Sequence, residues 1–148
     1  FSNNIEILCR RDFPLIITPH LTELARLLGS KKEMILSDFS NVMTGLRKNY
    51  KQVCMVKQVP ACILYENSIR INTTGNPGLA SAGTGDVLTG IIASLVSQGL
   101  NCYDAASVGA YIHGQTSDEL VEKKGYRGQL SSDLVEFLPH AIRSYEKP

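Results

Sequence analysis

The chain has 148 residues, of which 43% are hydrophobic and 20% are charged. This composition is typical of a globular protein with a sizeable core, and it argues against an intrinsically disordered chain. Lysine and arginine total 15 against 14 acidic residues, so we expect no nucleic-acid partner. Because no apolar run could span a bilayer and no signal peptide is visible, we expect a cytoplasmic protein without membrane partners.

The order of the predicted elements favours an α/β fold, because apolar β-runs alternate with helices in the first half. The expected elements of that half are a helix over 3–11 capped by Ser2, a strand over 15–18, a helix over 21–28, a helix from 37 or 38 to 50, and strands over 53–56, 61–65 and 69–72. The expected elements of the second half are helices over 86–98, from a cap at Asp104 to 124, and from about 133 onwards, limited or kinked by Pro139.

The four cysteines, at positions 9, 54, 62 and 102, show no CxxC spacing and lie next to no histidine. Zinc and thioredoxin-like redox sites are therefore not predicted. A chain with this much apolar content does not need a disulfide framework. We expect reduced, mostly buried thiols.

The segment 73–85, TTGNPGLASAGTG, is rich in glycine and leads directly into an apolar helix. The first N–H groups of a helix lack internal partners, so Gly83, Thr84 and Gly85 could form an anion cradle. Asp86 lies at its mouth, where a carboxylate could take a proton from a hydroxyl that attacks phosphorus. Favourable interaction with the helix dipole alone would also explain an aspartate there. Neither a Walker A loop nor a GxGxxG fingerprint is present.

Two further candidates follow predicted strands. His20 comes directly after the first strand, with Glu23 three residues on, and ligands of open α/β sheets bind beyond the carboxyl ends of strands. Lys57 ends the second strand and could meet a nucleotide phosphate or ribose. The structural alternatives are a helix start at His20 and a solvated lysine at Lys57.

Four segments together resemble one family, the ADP/ATP-dependent NAD(P)H-hydrate dehydratases, whose fold is ribokinase-like. They are TPHLTELARLLG at 18–29, TGNPGLASAGTGDVLTGIIASLVSQGL at 74–100, AASVGAYIHG at 105–114 and SSDLVEFLP at 131–139. The resemblance implies a layered α/β sheet with flanking helices. It also implies repair of hydrated NADH or NADPH, in which ADP or ATP phosphorylates the ring hydroxyl and phosphate then leaves.

The resemblance also implies residue roles. Asp86 would be the base and would contact the substrate, and the amides of Gly83, Thr84 and Gly85 would stabilise the transferring phosphoryl group. His20 would bind the hydrated cofactor, and Lys57 would bind the nucleotide. Mg²⁺ is expected to bridge the nucleotide phosphates, with no metal-binding side chains assigned.

Two features depart from the family pattern. The family usually reads Lys-Gly-x-x-Thr after the second strand, whereas this chain has Gln58 and Ala61 at the glycine and threonine positions. The family domain also extends upstream. We therefore expect 1–148 to be the C-terminal part of a single ribokinase-like domain whose N-terminal βα units are missing. We expect a homo-oligomer, with the missing segment in the same polypeptide or in a separate chain.

Two other functions remain open from the sequence. A ribokinase-like kinase of a small vitamin precursor or sugar would also place an aspartate after a glycine loop. A non-catalytic nucleotide-binding module would fit the changes at Gln58 and Ala61. Products separate the enzymes, since a kinase leaves a stable phosphorylated product and a dehydratase leaves free phosphate with NAD(P)H.

Overall fold

The computed structural model describes residues 7–8 and 13–146, which form two compact units divided between Ile71 and Asn72. The elements of the first unit are β1 Ile16–Ile17, α1 Leu21–Leu27, α2 Lys32–Ser37, α3 Phe39–Asn49, β2 Val53–Val56, β3 Ala61–Tyr65 and β4 Ser68–Asn72, whose last residue begins the second unit. The predicted helix over 3–11, its cap at Ser2 and Cys9 lie outside the described residues, apart from positions 7 and 8.

The sheet of the first unit has the order β1-β2-β3-β4. Strand β2 runs parallel to β1 and antiparallel to β3, with Ile17 opposite Cys54 and Cys54 opposite Leu64. All four side chains of β2 are buried, as expected of an unbroken apolar run at the centre of a sheet. The core packs this sheet against the helices through buried residues that include Leu24, Ile35 and Met43.

The second unit is helical. Its elements are a 3-10 helix Pro77–Ala80, α4 Thr84–Ser97, α5 Cys102–Lys124 and α6 Ser131–Arg143. Helix α5 packs against both α4 and α6. A Cβ added to Gly109 of α5 would lie 2.7 Å from Cγ1 of Ile92, so glycine at this position lets α5 approach α4 closely.

Several predicted boundaries are wrong. Helix α2 was not expected, because its apolar pattern is weak and a single residue, the buried Ile35, attaches it to the core. Helix α5 begins earlier than predicted: its cap is Asn101, whose side chain accepts the Asp104 N–H at 2.9 Å. Helix α6 continues through Pro139, which lies on the exposed side of the helix, where water can hydrate the carbonyl that loses its partner.

The segment 73–85 is also more regular than predicted. It contains the 3-10 helix, and α4 starts two residues before Asp86. Pro77 occupies the first turn of the 3-10 helix, where its missing N–H costs no hydrogen bond. Among the described residues, no helix is long and apolar enough to cross a membrane.

Candidate active site

His20 caps α1 through a reciprocal pair of hydrogen bonds. The backbone N–H of His20 donates to Oε2 of Glu23 at 2.8 Å, and the backbone N–H of Glu23 donates to the ring atom Nδ1 of His20 at 3.1 Å. Because Nδ1 accepts, the neutral ring carries its proton on Nε2, which lies 3.3 Å from Oε1 of Glu23. The imidazole is therefore an exposed group held in one orientation by the start of a helix.

Lys57 is the backbone neighbour of His20. The two residues form an isolated parallel bridge beyond the paired parts of β1 and β2, and the Lys57 N–H donates to the Pro19 carbonyl at 2.8 Å. Both predicted residues thus meet at the carboxyl ends of adjacent parallel strands. The departures from the family pattern follow immediately, with Gln58 in the connection after β2 and Ala61 at the start of β3.

Gly83, Thr84, Gly85 and Asp86 form the first turn of α4. Gly83 is its N-cap and has φ +83°, a conformation that side chains with a Cβ rarely adopt. A Cβ there would also lie 2.9 Å from Oγ of Ser131. Both the backbone conformation and the contact with α6 therefore require glycine at position 83.

The amides of this turn differ in their partners. The Asp86 N–H donates to the Gly83 carbonyl at 3.1 Å, and the Thr84 N–H makes a long contact of 3.5 Å with the Ser81 carbonyl. The Gly85 N–H donates no hydrogen bond to any described residue. The Asp86 carboxylate is exposed at the same turn. The arrangement combines amide donors with a carboxylate that can accept a proton.

The Thr84 side chain has a different task. It is 6% exposed, and its hydroxyl lies 2.7 Å from the Leu79 carbonyl and 2.9 Å from the Ser81 carbonyl. The hydroxyl therefore ties the 3-10 helix to the first turn of α4 and is not directed at a ligand. Only the backbone of Thr84 remains for the role that the resemblance implies.

Sequence reasoning missed the residues that hold the glycine-rich segment. Asp118 of α5 accepts the Gly75 N–H at 2.8 Å, and it accepts a second hydrogen bond from Nδ2 of Asn76 at 2.9 Å. Ser81 donates through its hydroxyl to the Gln129 carbonyl at 2.8 Å. The only sequence signal was Asn76 before Pro77, a pair typical of a turn or cap. Asp118 and Gln129 look like ordinary polar residues in the sequence.

Cys54 and Cys62 are poor candidates for a nucleophile. Cys54, Cys62 and Cys102 form no disulfide, and burial raises the pKa of the thiols of Cys54 and Cys62. Thiols with raised pKa values are poorly ionised at neutral pH and unreactive. Among the described residues, no group of three or more His, Cys, Asp or Glu side chains could enclose a metal ion.

The model of the NAD(P)H-hydrate dehydratase family matches residues 2–140, a range that contains all of these candidate residues. The chain belongs to the NAD(P)H-hydrate dehydratase family. It is 42% identical over 135 residues to the bifunctional NAD(P)H-hydrate repair enzyme Nnr of Moorella thermoacetica, covering 90% of this chain and 26% of that protein.

Solved structures agree with the family. An ADP/ATP-dependent NAD(P)H-hydrate dehydratase from Bacillus subtilis, co-crystallised with ATP and Mg²⁺, superposes with a TM-score of 0.86 at 25% identity, covering 93% of this chain and 50% of that one. A ribokinase-like superfamily protein from Enterococcus faecalis superposes with a TM-score of 0.74 at 29% identity, covering 97% and 51%. The predicted family and its ribokinase-like α/β fold are confirmed. The chain spans about half of each of these two solved chains and about a quarter of the bifunctional relative.

Proposed function

We propose that this chain takes part in the ADP- or ATP-dependent dehydration of hydrated NADH or NADPH, which repairs the nicotinamide cofactor. The family match across residues 2–140 carries this proposal. It is supported by the first turn of α4, which combines the amide of Gly85, unpaired among the described residues, with the exposed carboxylate of Asp86. Those are the groups that phosphoryl transfer to a hydroxyl requires.

In the proposed reaction, Asp86 accepts the proton of the ring hydroxyl as the hydroxyl oxygen forms a bond to the terminal phosphorus. The bond from that phosphorus to the nucleotide's bridging oxygen breaks, and the shortened nucleotide leaves. Phosphate then departs with the electrons of its ring C–O bond, and the neighbouring ring carbon loses a proton. These steps restore the reduced dihydropyridine and consume one phosphoanhydride bond.

The other candidate residues bind and orient the reactants. The amides of Gly83, Thr84 and Gly85 would donate to the phosphoryl oxygens, where a positioned donor typically contributes about 10²–10³ in rate. His20 would offer Nε2–H to the hydrated cofactor, since its Nδ1 is occupied by the α1 cap, and the cofactor would share or replace the 3.3 Å contact of Nε2 with Oε1 of Glu23. Lys57 would bind the nucleotide as a point charge at the adjacent strand end.

Magnesium would arrive with the nucleotide. Mg²⁺ usually keeps several waters and is bound by substrate phosphates with one or two carboxylates. The nucleotide phosphates and water would hold the ion here, which leaves the Asp86 carboxylate to accept the hydroxyl proton. When bound, the ion would neutralise negative charge on the phosphates.

The decisive experiment is a turnover assay on hydrated NADH with Mg²⁺ and either ADP or ATP. We expect the complete gene product to restore the absorbance of reduced nicotinamide and to release one free phosphate per turnover. The nucleotide that supports the faster rate identifies the donor. A stable phosphorylated product, or nucleotide binding without turnover, would contradict the proposal and favour the kinase or the non-catalytic module.

The organisation of the whole protein is proposed on the same basis. We infer that residues 1–148 form the C-terminal part of a single ribokinase-like domain, since the chain covers about half of each of two solved structures with this fold. A cytoplasmic location and a homo-oligomer remain predictions from the sequence. Sedimentation velocity of the complete gene product tests the oligomer, and a single monomeric species would contradict it.

A further inference from the structure

Asp118 connects α5 to a segment far away in the sequence. Its Oδ2 accepts the Gly75 N–H at 2.8 Å and its Oδ1 accepts from Nδ2 of Asn76 at 2.9 Å, across 43 and 42 positions of the chain. Both carboxylate oxygens are therefore engaged by the glycine-rich segment before α4. Charge-assisted hydrogen bonds of this kind are roughly twice as strong as neutral ones.

Asn76 passes this constraint on to the 3-10 helix. While its amide group donates to Asp118, its Oδ1 accepts the Gly78 N–H at 2.8 Å and so caps the 3-10 helix. The far end of that helix presents the carbonyls of Leu79 and Ser81 to the Thr84 hydroxyl. A continuous series of hydrogen bonds and one short helix thus joins α5 to the first turn of α4.

Close packing leaves little alternative space for the segment. A Cβ on Gly78 would lie 2.7 Å from Oε1 of Gln129, a residue that is 2% exposed. The Gln129 side chain is itself held, since its Oε1 accepts the Ser117 hydroxyl at 2.6 Å. The segment is therefore enclosed by groups with fixed positions.

We propose that Asp118 is a positioning residue for the reaction, acting through Asn76 to set the place of the amide cradle and of Asp86. The inference rests on the proposed function, since it assigns Asp118 a task in that same site. Its physical basis is preorganisation: donors aimed at a transferring phosphoryl group act strongly only when they are held in place before the reaction. A displacement of about 1 Å can lower a rate 10²-fold.

The hydrogen-bond pattern provides a specific test by exchange of the two side chains. In Asp118→Asn, one NH₂ group must face another donor. The new amide faces the Gly75 N–H or the Asn76 NH₂, and if the Asn76 amide is turned, its own NH₂ faces the Gly78 N–H. In Asn76→Asp, two carboxylates face each other. The double variant Asn76→Asp with Asp118→Asn restores every bond, because position 76 then accepts from Gly78 and from the amide at 118, while that amide's oxygen accepts from Gly75.

The variants are made in the complete gene product and compared by hydrogen exchange over residues 73–86 and by steady-state kinetics. We expect each single variant to accelerate exchange in this segment and to lower kcat by roughly 10–100-fold, with a smaller change in KM for the nucleotide. We expect the double variant to recover most of both losses. Glu122→Gln, which removes an exposed carboxylate one turn further along α5, is the matched control and should behave like the unmodified protein.

Two results would overturn the inference. One is a single variant at position 118 whose exchange and kcat match those of the Glu122→Gln control. The other is a double variant as impaired as the single ones although it remains folded by circular dichroism. A further outcome separates the inference from the proposed function. If the unmodified protein fails to turn over hydrated NADH, but hydrogen exchange is accelerated in the single variants and restored in the double variant, the proposed function is wrong and the hydrogen-bonded connection is upheld.

Discussion

Asp86 occupies the third position of α4, where an acidic side chain is favoured by the helix dipole whether or not it has a catalytic task. Asp86→Asn separates the two roles. Removal of a positioned base should lower kcat by roughly 10²–10⁴, whereas the dipole contributes only about 0.3–1 kcal/mol to stability. Steady-state turnover measures kcat, calorimetry measures nucleotide affinity, and urea unfolding measures stability. We expect the affinity and the stability to change little.

Asp104 provides the matched control for this experiment. It is the acidic residue in the first turn of α5, as Asp86 is in α4. We expect Asp104→Asn to leave turnover unchanged, with a loss of stability that also includes the hydrogen bond its Oδ2 accepts from Nδ2 of Asn101 at 2.6 Å. Equal turnover of the two variants would remove Asp86 from the mechanism.

His20 combines a structural bond with its proposed contact to substrate, and two substitutions distinguish them. Asparagine is a good N-cap, so His20→Asn should keep the bond to the Glu23 N–H and preserve stability. His20→Ala loses the cap and should lower the free energy of unfolding by about 0.5–2 kcal/mol. Both variants should raise KM for hydrated NADH, as measured beside urea unfolding.

His140, an exposed histidine of α6, is the control residue for these measurements. His140→Asn should leave KM for the hydrate unchanged. If His20→Asn also left KM unchanged, the imidazole would have only its role as the cap of α1.

At the scale of the elements, α5 depends on a glycine where it meets the glycine-rich segment. A Cβ on Gly114 would collide with Oγ1 of Thr74 and would lie 2.6 Å from the Thr74 carbonyl carbon. Since backbone cannot yield easily, Gly114→Ala should destabilise the protein by about 1–3 kcal/mol. Gly90→Ala in α4 meets nothing within 4 Å and should stabilise it by about 0.5–1 kcal/mol. Chemical unfolding should therefore show a lower free energy of unfolding for Gly114→Ala and a higher one for Gly90→Ala. Changes of the same sign would contradict this packing.

The start of α6 should make stability depend on pH. The Lys124 ammonium, 2.6 Å from Oδ1 of Asp133, and the Leu130 N–H, 2.8 Å from Oδ2, hold the pKa of Asp133 below its usual range. A carboxyl whose pKa is lowered in the folded state stabilises the protein at pH values above its pKa in the unfolded chain, about 3.9 for aspartate. That contribution is lost as the pH falls through the lower, folded-state pKa.

Asp133→Asn should therefore destabilise the protein at neutral pH, and the difference from the unmodified protein should shrink as the pH drops below about 4. Urea unfolding at several pH values measures the effect. Glu136→Gln, an exposed site on the same helix, is the control and should show no such trend. A difference for Asp133→Asn that stayed constant with pH would contradict the assigned ion pair.

At the scale of the whole molecule, we expect this chain alone to bind nucleotide but to lack turnover. The solved Bacillus subtilis dehydratase is about twice as long as the part that this chain matches, and a complete site would draw on the remainder. The measurement is the hydrate assay on the 148-residue chain beside the complete gene product. A stable, active monomer of the chain alone would contradict both this expectation and the proposed division of the domain.

Much of the fold could be predicted from local patterns. Strands β2 and β3 have the bounds that their apolar runs predict, and the glycines after α4 and α5 mark where those helices end. Helix α2 was missed because only Ile35 connects it to the core, and one buried residue produces no periodicity. The start of α5 was misplaced because Asn101 and Asp104 are both good capping residues, and only the observed bonds decide between them.

The sequence by itself determined the family and the bounds of β2 and β3, because these follow from motif spacing and from unbroken apolar runs. Only the tertiary structure decided that His20 and Lys57 are backbone neighbours, and that Asp118 and Gln129 hold the segment before α4. These contacts join residues 37 to 48 positions apart, and a hydrogen bond over such a distance is set by how helices and strands pack. No local preference of the chain encodes it.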